Sequence, residues 1–277
     1  MAWYKSVLPG LSPTEAQALE AGDVWWEADL FSGRPDWDRF TSFAAHGFTH
    51  EEQAFLDGPV DELCHMLNDF EIEHARMDLP EDVWAFLKTH KFFGMIIPKA
   101  YSGLGFSASA HSEVVKRIAT RSVSAAVTVM VPNSLGPGEL LMLYGTDEQK
   151  TYYLPRLASG SEVPCFALTG VEAGSDASAM TAIGTVCHGE WEGERTLGIR
   201  LNWEKRYTTL GPAATLIGLA FKLHDPDGLL GGEEDRGITV ALVPTDLPGV
   251  DIGKRHIPAG LAFQNGPSCG RGVFIPV

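Results

Sequence analysis

The spacing of apolar residues changes character near residue 160. Upstream, apolar positions recur at helical intervals and are punctuated by capping signals. Ser12-Pro13-Thr14-Glu15 sets an N-cap, a proline at the first helical position and an acid at the third, which predicts a helix running to about Leu30. Thr49 and Glu52 form a second Thr-x-x-Glu box. Leu79-Pro80-Glu81-Asp82 opens EDVWAFLKTH, in which Val83, Trp84 and Leu87 share one side. Thr146-Asp147-Glu148-Gln149 opens QKTYYLPRLASG, closed by a glycine. Between these, SASAHSEVVKRIATRSVSAAVTVMVP suits a long buried helix, although the β-branched residues of its second half are also compatible with a strand.

Beyond residue 160 the period becomes two. In TLIGLAFKL, Thr215, Ile217, Leu219, Phe221 and Leu223 alternate with Leu216, Gly218, Ala220 and Lys222, which puts the branched and aromatic set on one strand face. GITVALVP and RGVFIPV read the same way, separated by the turn-rich DPDGLLGGEEDRG and TDLPG. The expected class is α+β: an all-helical N-terminal domain over residues 1–160, then a β domain over residues 161–277 whose sheet is antiparallel and barrel-like or a sandwich.

Charge and cysteine usage remove several functions. A formal net charge of −15 leaves no basic surplus to neutralise phosphates, so a nucleic-acid partner is not expected. Residues 1–90 carry 18 of the 36 carboxylates but only 5 of the 21 lysines and arginines, an acidity that reads as a solvated face. Cys64, Cys165, Cys187 and Cys269 form no Cys-x-x-Cys pair, which suggests neither a zinc knuckle nor a disulfide framework. No stretch reaches the roughly 18 consecutive apolar residues of a membrane span. MAWYKSVLPG lacks the apolar core of a signal peptide, so the expected location is the cytoplasm.

Glu62-x-x-His65 and Glu71-x-x-His74 have the spacing of di-iron ligand pairs, but they lie nine residues apart and at about 100° per residue would face opposite ways on one helix. Solvated acidic faces account for them. Gly103-Leu104-Gly105 follows apolar MIIP, yet no strand-helix-strand alternation surrounds it, so a turn between helices is the simpler reading. Neither a nucleophile elbow nor a Walker loop occurs.

CFALTGVEAGSDASA, residues 165–179, carries more. An apolar strand there runs into Gly174-Ser175, whose backbone N–H groups and hydroxyl could approach an anion, while the strand could lie along a flat ring. A plain β-turn capped by Asp176 would use the same residues.

Taken with a second segment, this stretch resembles the acyl-CoA dehydrogenase family. Phe166 to Asp176 is similar to the family's Tyr/Phe-x-x-Thr-Glu-Pro-x-Ala-Gly-Ser-Asp, and Asn202-Trp203-Glu204-Lys205-Arg206-Tyr207-Thr208-Thr209 to its Asn-Gly-x-Lys-x-Trp-Ile-Thr. FFGMIIPKAYSGLGF and YGTDEQKTYYLPRLASGS extend the likeness upstream. WWEADLFSGRPDW and AFQNGPSCGRGVFIPV resemble the long bacterial branch of fatty-acid β-oxidation enzymes.

The resemblance implies an FAD-dependent dehydrogenase that removes a proton from the carbon next to an acyl-CoA thioester and passes a hydride from the next carbon to flavin N5, giving a trans-2-enoyl-CoA. It implies FAD contacts for Phe166, Leu168, Thr169, Gly174, Ser175, Tyr207, Thr208 and Thr209. Backbone near Leu168 and Thr169 would meet the flavin's pyrimidine edge, Tyr207 would pack on the isoalloxazine, Thr209 would approach N5, and Ser175 would meet the pyrophosphate or the CoA. It further implies an electron-acceptor flavoprotein as partner, a homo-oligomer, and peripheral association of the full-length enzyme with the inner membrane. In the family a C-terminal four-helix bundle supplies the catalytic glutamate, so that base is expected beyond Val277. A non-catalytic flavin- or acyl-CoA-binding module is the alternative for the chain by itself. Three departures stand out: Gly170 and Val171 replace Glu-Pro, Trp203 replaces a glycine, and Tyr207 replaces a tryptophan. Glu172, in the same loop, reads as solvated.

Overall fold

The computed structural model describes residues 26–43, 47–134 and 136–277. The chain divides into two compact units, Met1–Gly47 and Phe48–Val277. In the first unit lie helices α1 (Ala28–Phe31) and α2 (Trp37–Ser42). The Trp26 ring meets Trp37 and Phe40 with centroids 5.2 and 4.4 Å away, and its indole N–H donates to the Asp36 carbonyl at 2.7 Å. All but the end of the helix expected from Ser12 falls outside the described residues.

The second unit begins with α3 (His50–Phe55), which runs through a widened turn, Leu56–Val60, into α4 (Asp61–Met66). Pro59 lies in that turn and has no N–H to give the helical ladder, a local reason for it to widen. The Thr49 capping box forms as expected. Its Glu52 also reaches outward: one carboxylate oxygen accepts from Thr49 N–H at 2.8 Å and the other from Ser107 N–H at 2.7 Å. Those backbone bonds hold the carboxyl down to about 2.

Further helices are α5 (Glu81–Thr89), α6 (Ala108–Ala119), α7 (Val123–Met130), α8 (Pro137–Tyr144) and α9 (Asp147–Ser159). In α5, Val83 and Leu87 are buried, while Trp84 is only half-buried and sends its indole N–H to Asp78 at 3.3 Å. The long segment from Ser107 is helical in both halves but broken. Ser122 caps a new helix by accepting from Ala125 N–H, so α6 and α7 replace the single helix expected. The second half, compatible with either structure in sequence, is helical and packs Ala125 and Val129 with Val114 and Ile118 in one core cluster.

Gly103 lies in a folded-back loop, where a Cβ would sit 2.0 Å from the Ile97 carbonyl oxygen, so close backbone approach explains this glycine. The two Glu-x-x-His pairs fall in separate helical segments, Asp61–Met66 and Glu71–Arg76. Among the described residues no group of three or more side chains could hold a metal ion, and no helix is long and apolar enough to cross a membrane.

The α+β class is as expected, with the helical region followed by a seven-stranded sheet: β1 (Pro164–Ala167), β2 (Ile183–Trp191), β3 (Glu194–Thr209), β4 (Leu216–His224), β5 (Asp235–Pro244), β6 (Val250–Ile252) and β7 (Asn265–Pro276). The sheet is mixed rather than purely antiparallel. β4 gives one edge to β5, antiparallel, and divides its other edge between β1 at Leu216–Leu219 and β2 at Lys222–His224, both parallel. Strand alternation alone carries no information on direction, which is set by the connections.

The alternation expected for β4 is also masked, because both faces are covered. Ile217, Leu219 and Phe221 enter the main sheet core, while Leu216 packs with Ile97, Leu141 and Leu154 of the helical layer. Buried Glu73 ties the two layers by accepting from the Ser124 hydroxyl and from Ala262 N–H. Arg255 donates to the carbonyls of Met77 and Ala262.

Candidate functional site

The two segments singled out in the sequence lie against each other. Thr169 leaves β1 and its carbonyl accepts from Arg206 N–H at 2.9 Å, while Gly170 makes an isolated antiparallel bridge to Lys205. Beneath this contact the Lys205 side chain is fully buried and its Nζ donates to the Leu168 carbonyl at 2.7 Å. Burial disfavours the charged ammonium and pulls it down to about 8.

β3 then slips by one residue against β7 between Lys205 and Thr208. Tyr207 occupies this bulge with φ of 55°, a left-handed conformation unusual for an aromatic residue, and 60% of its surface is exposed. Asn265, paired with Thr209 on β7, holds the arrangement. Its amide nitrogen donates to the Tyr207 carbonyl at 3.1 Å and to the Thr209 hydroxyl at 3.2 Å. His256 stands behind, its ring 5.0 Å from that of Tyr207 and its Nδ1 3.3 Å from the Asn265 side-chain oxygen. Thr208 is buried, and its hydroxyl has no hydrogen-bond partner among the described residues.

Leu168, Thr169, Tyr207, Thr208 and Thr209 are thus gathered by the β3 bulge. Phe166 packs on a small cluster of Ala173, Met180 and Ala220, which Leu168 also touches. Gly174 and Ser175 lie exposed on the turn beyond Ala173, and no atom would come within 4 Å of a Cβ at Gly174. Asp176 is engaged locally. It accepts from Ser178 N–H at 3.1 Å and from the Ser178 hydroxyl, which holds its carboxyl below the usual range. Glu172 is exposed.

Trp203, where the related pattern has glycine, is explained across the ladder. It pairs with Gly270, where an added Cβ would come within 1.9 Å of the indole, so the bulk gained on β3 is matched by space on β7. Lys205, Asn265 and His256 were not among the expected site residues. Lys205 stood inside the second segment, and the signal that finds it is the period-two alternation Leu201, Trp203, Lys205, which puts its side chain on the buried face of β3. Asn265 lies 58 residues from Tyr207 and His256 49 residues, separations closed by the β3–β7 ladder for Asn265 and by the His256–Asn265 backbone bond for His256.

Residues 49–161 match the acyl-CoA dehydrogenase N-terminal domain and residues 165–269 the acyl-CoA dehydrogenase middle domain. The chain belongs to the acyl-CoA dehydrogenase family. It is 30% identical to an acyl-CoA dehydrogenase of Bacillus subtilis over 64% of this chain and 42% of that one. Against the probable acyl-CoA dehydrogenase FadE10 of Mycobacterium tuberculosis it is 28% identical over 94% of this chain and 39% of the relative. It therefore spans about two fifths of the length of these curated relatives. The solved acyl-CoA dehydrogenase of Bacillus anthracis, complexed with FAD, shares the fold with a TM-score of 0.67 at 20% identity, over 84% of this chain and 37% of that one.

FAD is the cofactor that acyl-CoA dehydrogenase membership implies, and the residues present are compatible with it. A flat ligand would find an aromatic ring held open at Tyr207, and a polar one a buried, unpartnered hydroxyl at Thr208.

Proposed function

We propose that this chain forms the flavin-cradling part of an FAD-dependent acyl-CoA dehydrogenase that produces trans-2-enoyl-CoA in fatty-acid β-oxidation. The reading is carried by the Lys205–Leu168 hydrogen bond, which joins the two family segments into one surface. Bound FAD would supply a two-electron hydride acceptor. Leu168 and Thr169 backbone groups would hold its pyrimidine edge, where charge accumulates on reduction, and the Tyr207 ring would cover the isoalloxazine. Thr208 and Thr209 would offer hydroxyls to it, with Phe166 supporting the strand from behind. Gly174 and Ser175 would meet the pyrophosphate or the CoA, since their turn is open. The base that takes the α-proton is assigned outside these residues, as the family resemblance implies. An electron-acceptor flavoprotein and self-association of the whole enzyme belong to the same reading.

The test is Thr209→Val with Ser175→Ala in the flavin-loaded enzyme. FAD retention, read as the ratio of flavin to protein absorbance, should fall. Unchanged flavin content together with unchanged turnover would overturn the assignment.

A further inference from the structure

Asn265 is 3% exposed, and every hydrogen-bonding group of its side chain faces a partner. The direction of each bond follows from chemistry. A backbone carbonyl can only accept, so the amide atom facing the Tyr207 carbonyl must be the nitrogen. The second hydrogen of that nitrogen then points to the Thr209 oxygen, which is therefore an acceptor there and keeps its own hydrogen for another partner. The remaining amide atom is an oxygen facing His256 Nδ1, so Nδ1 must carry a hydrogen. The backbone fixes the same pair, because His256 N–H donates to the Asn265 carbonyl at 2.8 Å.

We infer that Asn265, with His256 behind it, is a positioning residue that polarises the Thr209 hydroxyl as a donor toward the flavin and keeps the Tyr207 ring presented. The inference rests on the reading of Thr209 as a flavin contact. Its consequence has a sign. A hydroxyl that already accepts from Asn265 is the better donor, and a donor favours an acceptor nitrogen, which the oxidised ring offers at N5 and the reduced ring, carrying hydrogen there, does not. Asn265 therefore strengthens binding of oxidised flavin more than reduced, and by linkage lowers the potential of the bound couple.

Two measurements on the full chain test this. In the first, long-range ¹H–¹⁵N correlation on histidine-labelled protein, in buffer alkaline enough to keep the ring neutral, reads the His256 tautomer. The Nδ1–H form is expected, with reversion to Nε2–H in Asn265→Ala; an Nε2–H ring in the unaltered protein overturns the inference whatever the flavin does. The second compares the affinities of oxidised and reduced FAD in the unaltered protein, Asn265→Ala, Thr209→Val and the double variant. Asn265→Ala should weaken oxidised FAD about tenfold and reduced FAD little, raising the potential by about 30 mV. The double variant should be no worse than Thr209→Val. If Thr209→Val weakens FAD and Asn265→Ala does not, the positioning role is overturned and the flavin site stands. If neither does, the flavin assignment of Thr209 itself is overturned, and the inference with it.

Discussion

The ammonium of Lys205, buried under β3, is bonded to the carbonyl of Leu168, 37 residues earlier in the chain. An ionisable side chain so placed costs desolvation, which the carbonyl contact offsets only in part. What it gains is position, since it pins the end of β1 to the strand carrying Tyr207 and Thr209.

That cost makes stability depend on pH in a definite direction. The folded lysine titrates near 8 and the unfolded one near 10.5, so between these values the unfolded chain holds more protons and stability rises with pH. Relative to Lys205→Met, which has no group to titrate, the unaltered protein should gain up to about 3 kcal/mol across that window. Urea denaturation of both proteins from pH 7 to 10.5 reads the difference. Lys205→Met should also lose FAD, because Leu168 is no longer held.

Glu52 behaves in the opposite sense. Its carboxyl lies near 2 when folded against an ordinary 4.5, so its contribution is fully present above pH 4.5 and disappears as pH falls toward 2. Glu52→Gln should cost about 2 kcal/mol at pH 7, since two backbone N–H donors lose a charged acceptor. The two proteins should converge in stability in acid unfolding curves.

Tyr207 separates fold from function. Its left-handed backbone suits glycine better, so Tyr207→Gly should leave the melting temperature unchanged or slightly higher while FAD retention drops. Tyr207→Trp, which restores the family's usual ring, should retain FAD. A Tyr207→Gly protein that melts several degrees lower and still binds FAD normally would make the ring structural.

Trp203 and Gly270 should be energetically coupled. Gly270→Ala drives a methyl group into the indole and should cost at least about 3 kcal/mol. Trp203→Gly alone should also destabilise, by leaving a cavity. Combined, the two changes should cost clearly less than their sum in a double-mutant cycle read by chemical denaturation.

Local chemistry made much of the fold readable in advance. Thr49 and Thr146 announced their helices because a hydroxyl acceptor and an acidic or amide partner three residues on satisfy free N–H groups wherever they occur. The two family segments likewise pointed to one surface. The break at Ser122 was harder, since a serine inside an apolar helical run is also tolerated as an exposed helical residue. The parallel pairing of β1 and β2 with β4 was not visible, because a strand's side chains alternate identically in either direction. Lys205 and Asn265 escaped notice for a related reason. Composition treats lysine and asparagine as surface residues, whereas Lys205 takes the buried face of β3 in step with Leu201 and Trp203, and Asn265 is buried where β7 meets Thr209.

The divided edge of β4 bears on how the protein assembles. Among the described residues β1 has its ladder only with β4, 52 residues ahead at the backbone tie in which Thr215 N–H donates to the Val163 carbonyl. The Leu168–Thr169 corner therefore cannot be set by its own neighbourhood in the chain and must wait for strands made later in synthesis. Flavin uptake should then be an all-or-none property of the finished sheet. In a refolding experiment it should follow the slowest phase of sheet formation, which would make the cofactor a reporter of completed folding.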